Sequence, residues 1–441
     1  MSLSQNLKAL MNLNLKREEK VLDAIFRSSF LNLIARGFGY AKHLSIAILL
    51  GFSSQTDGFF MALSLLGIFL IFADVFDSIG VPQLVRARLE GEEEFKKLAG
   101  FLMIFTMLLS FSILSLSLLL MPLILKIPAG FSRDAFQSTE TSYLLLIPYV
   151  FLNFYFHHFG ALLRSIRRFT AYFIGEFIFS ISTFLIVTLG LLFLRDYKII
   201  PISLSLAQLL ATVYMFYVGK EFLHVRFYLD DQVKKVLNHF LQLSFLYGVF
   251  HLYILVDRAF ASYLGEKAVS ALAYGLLLAS IPKGVLKLEN IAITSLSEAK
   301  GSIEKLNFYI KKIILLILPI SVLFFLFSWY LTKLLFGYGA FSHLDIDLTA
   351  EAFRFYSLSL PFMFLWPLIY RVFQIRERLN AVSFVAILGV IANGAANYVF
   401  VFVLHLGIAG ICLGTFFASI IICSTGYQLL RRLNDDQLPI T

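Results

Sequence analysis

The chain has 441 residues, of which 59% are hydrophobic and only 15% charged, and its mean hydropathy is +0.82. That balance excludes a soluble globular domain and a disordered chain alike, and it points to a polytopic membrane protein. The net charge of +9 does not mark a nucleic-acid binder, because the basic residues sort by loop.

Residues 1–24 read as a charged, amphipathic cytoplasmic lead-in. The first apolar run is too long, and too polar at its start, to be a cleavable signal. A bilayer core requires ~20 apolar residues per helix. Such spans fall roughly at 25–51, 58–81, 98–125, 142–164, 170–194, 197–218, 239–262, 267–290, 306–332, 351–375, 380–404 and 407–430. These are continuous runs rather than alternating segments, so they predict helices and not a β-barrel. The fold class is therefore all-α, with about twelve transmembrane helices. The polar segment 219–238 divides a first six-helix lobe (25–218) from a second (239–432), and 433–441 forms a tail.

Arg86, Arg88, Arg164, Arg167, Arg168, Lys300, Lys305, Arg376 and Arg378 sit in alternate connections, on the side of Lys8, Lys16, Arg17 and Lys20. The opposite loops hold only Lys126, Arg133, Arg195, Lys198, Lys267 and Lys333. Positive charge stays on the cytoplasmic side, which predicts that both termini lie there. Cys412 and Cys423 share the last span, where packing is their expected role.

Charge deep in an apolar span is costly, so ionisable residues there are functional candidates. On the first span Arg36, Gly39 and His43 form one stripe, with Lys42 about a third of a turn away. Folding the hairpin near residue 54 brings Arg36 level with Asp74, so a structural ion pair is one reading of Arg36 and a ligand contact the other. Lys42 comes level with Leu65, Leu66 and Gly67, which makes it the cation least neutralised locally; snorkelling is its alternative. Asp57 follows SSQT and could serve a helix N-terminus. Asp257 and Arg258 are candidates for a gate or a pairing across lobes. Lys283 and Lys287, at i and i+4, are candidate phosphate contacts, Lys287 with nearby Glu289 reading more as membrane surface. Glu176, a carboxylate in the fifth span, is a candidate for ion or proton coupling. His157 and His158 read as packed aromatics. No phosphate loop, metal-ligand spacing or nucleophile motif is present. The chain is therefore not expected to be an enzyme or to hold a cofactor, and an ion gradient (H+ or Na+), the membrane potential or consumption of product would drive it.

The two lobes echo each other. IAILLGFSSQTDGFFMALSL (46–65) aligns with FASYLGEKAVSALAYGLLLA (260–279), so that Ala47 meets Ala261, Leu50–Gly51 meets Leu264–Gly265, and Phe60 meets Tyr274. PYVFLNFYF from Pro148 aligns with PFMFLWPLI from Pro361. Two similar bundles with a site between them are how many secondary transporters are built.

ARGFGYAKHLSIAILLGFSSQTDGFFMA, together with 256–275, 281–297 and 334–361, resembles the MurJ/MviN flippases of the multidrug/oligosaccharidyl-lipid/polysaccharide exporter superfamily. The resemblance implies two pseudo-symmetric six-helix lobes around a central cationic cavity that opens alternately to either side. It implies a polyprenyl-pyrophosphate-linked glycan precursor, typically lipid II, as the substrate, with membrane lipids and cell-envelope synthesis enzymes as partners, in the bacterial cytoplasmic membrane. It places Arg36 at the family's first cavity Arg, Lys42 at its second and Asp57 at its Asp. A diphosphate in an apolar tunnel needs such fixed cations. The chain departs from the pattern at His43, where the family is acidic, around Phe69–Ile71, where it is basic, and at Leu277 and Ser280, where it has Arg and Glu. The family also commonly adds two helices beyond the twelfth. A polysaccharide or O-antigen-unit flippase and a cation-coupled multidrug exporter share the superfamily and stand as alternatives. A membrane glycosyltransferase would need carboxylates in a large outer loop, and the loops are short; an assembly scaffold would tolerate neutralisation of Arg36 and Lys42.

Overall fold

The computed structural model describes residues 21–222, 231–286, 295–376 and 378–435. Among them helices follow one another with short turns, and there is no strand. In the first half these are α1 (Val21–Leu50), α2 (Ser54–Glu90), α3 (Glu92–Ile124), α4 (Arg133–Ser165), α5 (Phe169–Leu194) and α6 (Ile199–Gly219). The second half supplies α7 (Asp231–Ala261), α8 (Ala268–Leu286), α9 (Ile303–Phe336), α10 (His343–Ser357), α11 (Leu360–Ile375), α12 (Leu379–Tyr398) and α13 (Gly407–Asp435). Eleven of the described helices are long and apolar enough to cross a membrane, or up to twelve if the bent pair α10–α11 is one span. The chain is a multi-pass membrane protein. Large apolar side chains such as Leu108 and Leu119 on α3 and Leu315 and Leu326 on α9 stay exposed. That arrangement is stable only where lipid replaces water, since hydrocarbon gains nothing by expelling them.

The span read at 351–375 is continuous in the sequence but bends by 44° between α10 and α11. The cause is Pro361, which has no N–H for the carbonyl of Ser357. Ser321 Oγ on α9 donates to that carbonyl at 2.6 Å. The aligned Pro148 has a similar neighbour, Ser205 Oγ on α6, which donates to Leu145 O at 2.7 Å. A hydroxyl from an adjacent helix thus satisfies, or sits beside, the acceptor that each proline frees.

By compactness the chain divides into two units. The first takes the residues up to Ile46, Phe69–Met121 and Leu144–Ser244; the second takes Ala47–Ile68, Pro122–Tyr143 and the chain from Phe245. In the first, rings of Phe76, Phe105 and Phe240 pack together, with Phe105 and Phe240 centroids 5.1 Å apart. Buried His158 joins them, its Nδ1 3.2 Å from Thr106 Oγ1. In the second, Tyr274 is fully buried, with ring centroids of Phe52, Phe60 and Phe336 at 5.0, 5.6 and 5.2 Å. Phe60 and Tyr274 are the aligned residues of the repeat. One helical turn earlier Thr56 and Ser270, also aligned, hydrogen-bond at 3.0 Å. A residue that touches its own equivalent lies on a two-fold relation, so α2 and α8 meet there as symmetry mates.

Candidate functional site

Both helix starts at this meeting point are capped by a carboxylate from the other half of the chain. Asp57, 1% exposed, accepts from the backbone N–H of Lys267 (2.5 Å), the N–H of Ser270 (2.8 Å) and Ser270 Oγ (2.6 Å). It therefore serves a helix N-terminus, but that of α8 rather than of its own helix. Glu266 returns the contact, taking the N–H of Ser54 at 2.8 Å and its hydroxyl at 2.6 Å. These donors, the hydroxyl first, hold the Glu266 carboxyl below the ordinary carboxylate range. Lys267 Nζ reaches Asp345 Oδ1 at 2.9 Å, and Asp345 closes a capping box with Ser342 at the start of α10. The adjoining turns touch through glycine. Gly51 (φ +69) and Gly339 (φ +63) flank the bond from Ala340 N–H to Ile48 O at 2.7 Å. A Cβ on Gly339 would stand 2.3 Å from Ile48 O.

Arg258 on α7 donates to the carbonyl of Phe60 and to Ser64 Oγ on α2, and His251 Nε2 lies 2.9 Å from Ser64 O. Asp257, 5% exposed, does not pair with its neighbour. It accepts from Asn397 Nδ2 (2.9 Å), Asn393 Nδ2 (3.1 Å), Thr415 Oγ1 (2.6 Å) and Tyr356 OH (3.1 Å). Asn393 and Asn397 are fully buried on α12, and Asn397 Oδ1 has no partner among the described residues. A wholly buried carboxylate is tolerated when donors surround it in this way.

In the first unit the candidates on α1 are handled differently. Arg36 is exposed, and its Nε donates to Asn32 Oδ1 at 3.3 Å rather than to Asp74. Lys42 is half-buried and has no hydrogen bond or ion pair among the described residues. Asp74 Oδ1 lies 3.9 Å from His157 Nε2, and Glu176 accepts from Tyr172 OH at 2.9 Å. Asp74 and Glu176 line one cavity. Lys283 is half-buried near the end of α8, and Lys287 falls outside the described residues. No group of three or more His, Cys, Asp or Glu side chains among the described residues could hold a metal ion.

The sequence reading passed over Glu266, Lys267, Ser270 and Asp345 at the cross-capped turn, and Asn393, Asn397 and Thr415 around Asp257. Two of these sets carried a readable signal. Ser342 and Asp345 have capping-box spacing, and Asn393 and Asn397 stand at i and i+4 in an otherwise apolar span.

The helical order, the two-fold meeting of α2 and α8 and the ionisable groups within apolar spans define a polytopic membrane protein with an internal repeat, an arrangement that many secondary transporters share. Solved structures agree on the fold. A lipid II flippase MurJ in an inward closed conformation superposes with a TM-score of 0.77 at 20% identity, covering 92% of this chain and 87% of that one. An inward-facing multidrug resistance MATE transporter gives 0.72 at 15% identity, covering 94% and 98%. The family model described as lipid II flippase MurJ matches residues 46–437, and the chain belongs to that family. Relatives include a probable lipid II flippase MurJ of Rickettsia prowazekii, 27% identical over 87% of this chain and 80% of that protein. Another, from Aquifex aeolicus, is 25% identical over 93% and 84%.

Proposed function

We propose that this chain is a flippase that carries lipid II, or a closely related polyprenyl-pyrophosphate-linked glycan precursor, across the bacterial cytoplasmic membrane by alternating access. Family membership supports the reading, and the observation that carries it to residues is Lys42, an ionisable group in an apolar span that nothing among the described residues neutralises. A pyrophosphate would supply the missing charge, with Arg36 about one and two-thirds turns away on α1 as the second contact, and Lys283 on α8 stands as a separate candidate phosphate contact. The two lobes would be 25–218 and 239–432, joined by 219–238, with both termini cytoplasmic in keeping with the loop charges. Asp57 and Glu266 then act as the joint that holds the starts of α2 and α8 together.

The chain would work as a transporter without a catalytic step and hand its cargo to cell-envelope synthesis enzymes on the far face. For the driving force, Asp257 is better equipped than Glu176. Asp257 and Thr415 Oγ1 supply oxygens, and Asn397 Oδ1 has no partner among the described residues. With the two amides that now donate through Nδ2 turned to present oxygen, the set would hold a single carboxylate and suit a monovalent alkali cation.

Complementation tests the proposal. A strain depleted of its own lipid II flippase would receive wild type, Arg36→Ala or Lys42→Ala at matched membrane levels. Rescue by wild type and its loss in Lys42→Ala is expected. Failure of wild type would redirect the substrate to another lipid-linked polysaccharide, and rescue by all three would remove the α1 cations from the site.

A further inference from the structure

The geometry points to a second binding site in the first unit, a cavity for a small ammonium compound that also carries an acceptor oxygen. The cavity encloses about 240 Å³ among α2, α4, α5 and α6. A buried water needs only ~10–15 Å³, so the space suits an organic molecule rather than a bare ion. Asp74 and Glu176 line it from different helices, Asp74 Oδ1 lying 3.9 Å from His157 Nε2, and no Lys or Arg is among the described lining residues. Tyr172 OH occupies one of the lone pairs of Glu176 and leaves the carboxylate with further acceptor capacity. Tyr149 and Phe179 form an aromatic wall, their rings stacked at 6.0 Å and 20°, and such faces attract cations.

An independent observation is Gln208. It lines the same cavity, is 2% exposed, and its carboxamide Nε2 has no partner among the described residues. Buried donors are ordinarily satisfied, so this one calls for an acceptor oxygen beside the ammonium. An amine on an amide-bearing scaffold has both features. Two sources share that chemistry, a free amine and an amine carried on the head group of the transported lipid; the second rests on the flippase reading.

The test uses the full chain in lipid nanodiscs, titrated calorimetrically with Nα-acetyl-lysinamide and with its Nε-acetylated, neutral analogue. The amine should bind at least tenfold more tightly than the analogue. Glu176→Gln should weaken the amine at least tenfold, Asp74→Asn several-fold, and Gln208→Leu several-fold, with unfolding midpoints monitored for each. Lys42→Ala should leave this binding unchanged while flipping is lost, so the site and the flippase reading fail separately. If Glu176→Gln does not fold, Asp74→Asn and Gln208→Leu decide. Equal binding of the two compounds, or wild-type affinity in every folded variant, overturns the site. A lipid-linked precursor with a free or an acetylated head-group amine separates the sources. Discrimination by wild type that disappears in Glu176→Gln puts the ammonium on the cargo. Equal binding of the two precursors, with lysinamide discrimination intact, assigns the site to a free amine.

Discussion

Asp57 and Lys42 lie fifteen residues apart, on either side of the first turn, and the protein treats them in opposite ways. Asp57 is sealed, with two backbone N–H groups and a hydroxyl satisfying its carboxylate. Lys42 is half-buried with no partner among the described residues. Ionisable groups in an apolar span are costly, and the cost can be offset by the protein or by a ligand. The first solution makes a structural joint. The second leaves a site.

The sharpest way to break that contrast is Asp57→Ala, which orphans the N–H groups of Lys267 and Ser270 together. Each unsatisfied buried donor costs about 1–3 kcal/mol, so a loss of about 2–5 kcal/mol is expected. Thermal unfolding in detergent should show it, and Asp57→Asn, which keeps one oxygen, should recover part of it. Next comes Gly339→Ala. Its Cβ would press on Ile48 O at 2.3 Å in a left-handed backbone, and a loss of about 1–3 kcal/mol is expected. On the other side of the contrast, Lys42→Ala should reduce transport at least tenfold, equivalent to about 1.4 kcal/mol. Its unfolding midpoint should stay within what about 0.5 kcal/mol would shift, because no bond is removed.

Glu266 gives the smallest effect, since its carboxylate is exposed. Its folded pKa is depressed below the ordinary 4.5. The contribution is therefore present above the unfolded value and is lost as pH falls through the folded one. Wild type and Glu266→Gln should differ by less than about 1 kcal/mol at pH 6 and converge as pH falls through the depressed folded value. Denaturation midpoints of the two proteins across pH 3–7 would check the convergence.

The sequence made the spans legible, because hydrocarbon admits only long apolar helices and the chain obeys that almost everywhere. The bend before Pro361 was missed, since 351–375 reads as one unbroken apolar span, although the N–H that proline lacks is a signal for it. The joint was not legible. Nothing near Ser54 indicates that Glu266 will cap it, and an exposed Glu in a turn has the appearance of a solvated residue. The set around Asp257 was half legible: Asn393 and Asn397 announce a polar face, whereas Thr415 joins from a helix 158 residues along the chain. Arg36 shows the limit of hairpin geometry. Levelling residues across a turn brought it to Asp74, but side-chain direction sent it to Asn32 on its own helix.

The most direct test of the account is translocation of lipid II in proteoliposomes by wild type, Lys42→Ala and Lys42→Arg, each checked for an unchanged unfolding midpoint. The account predicts that alanine abolishes translocation and arginine keeps it. Full translocation by a stable Lys42→Ala protein would contradict it, and would leave the unpartnered lysine without a role in transport.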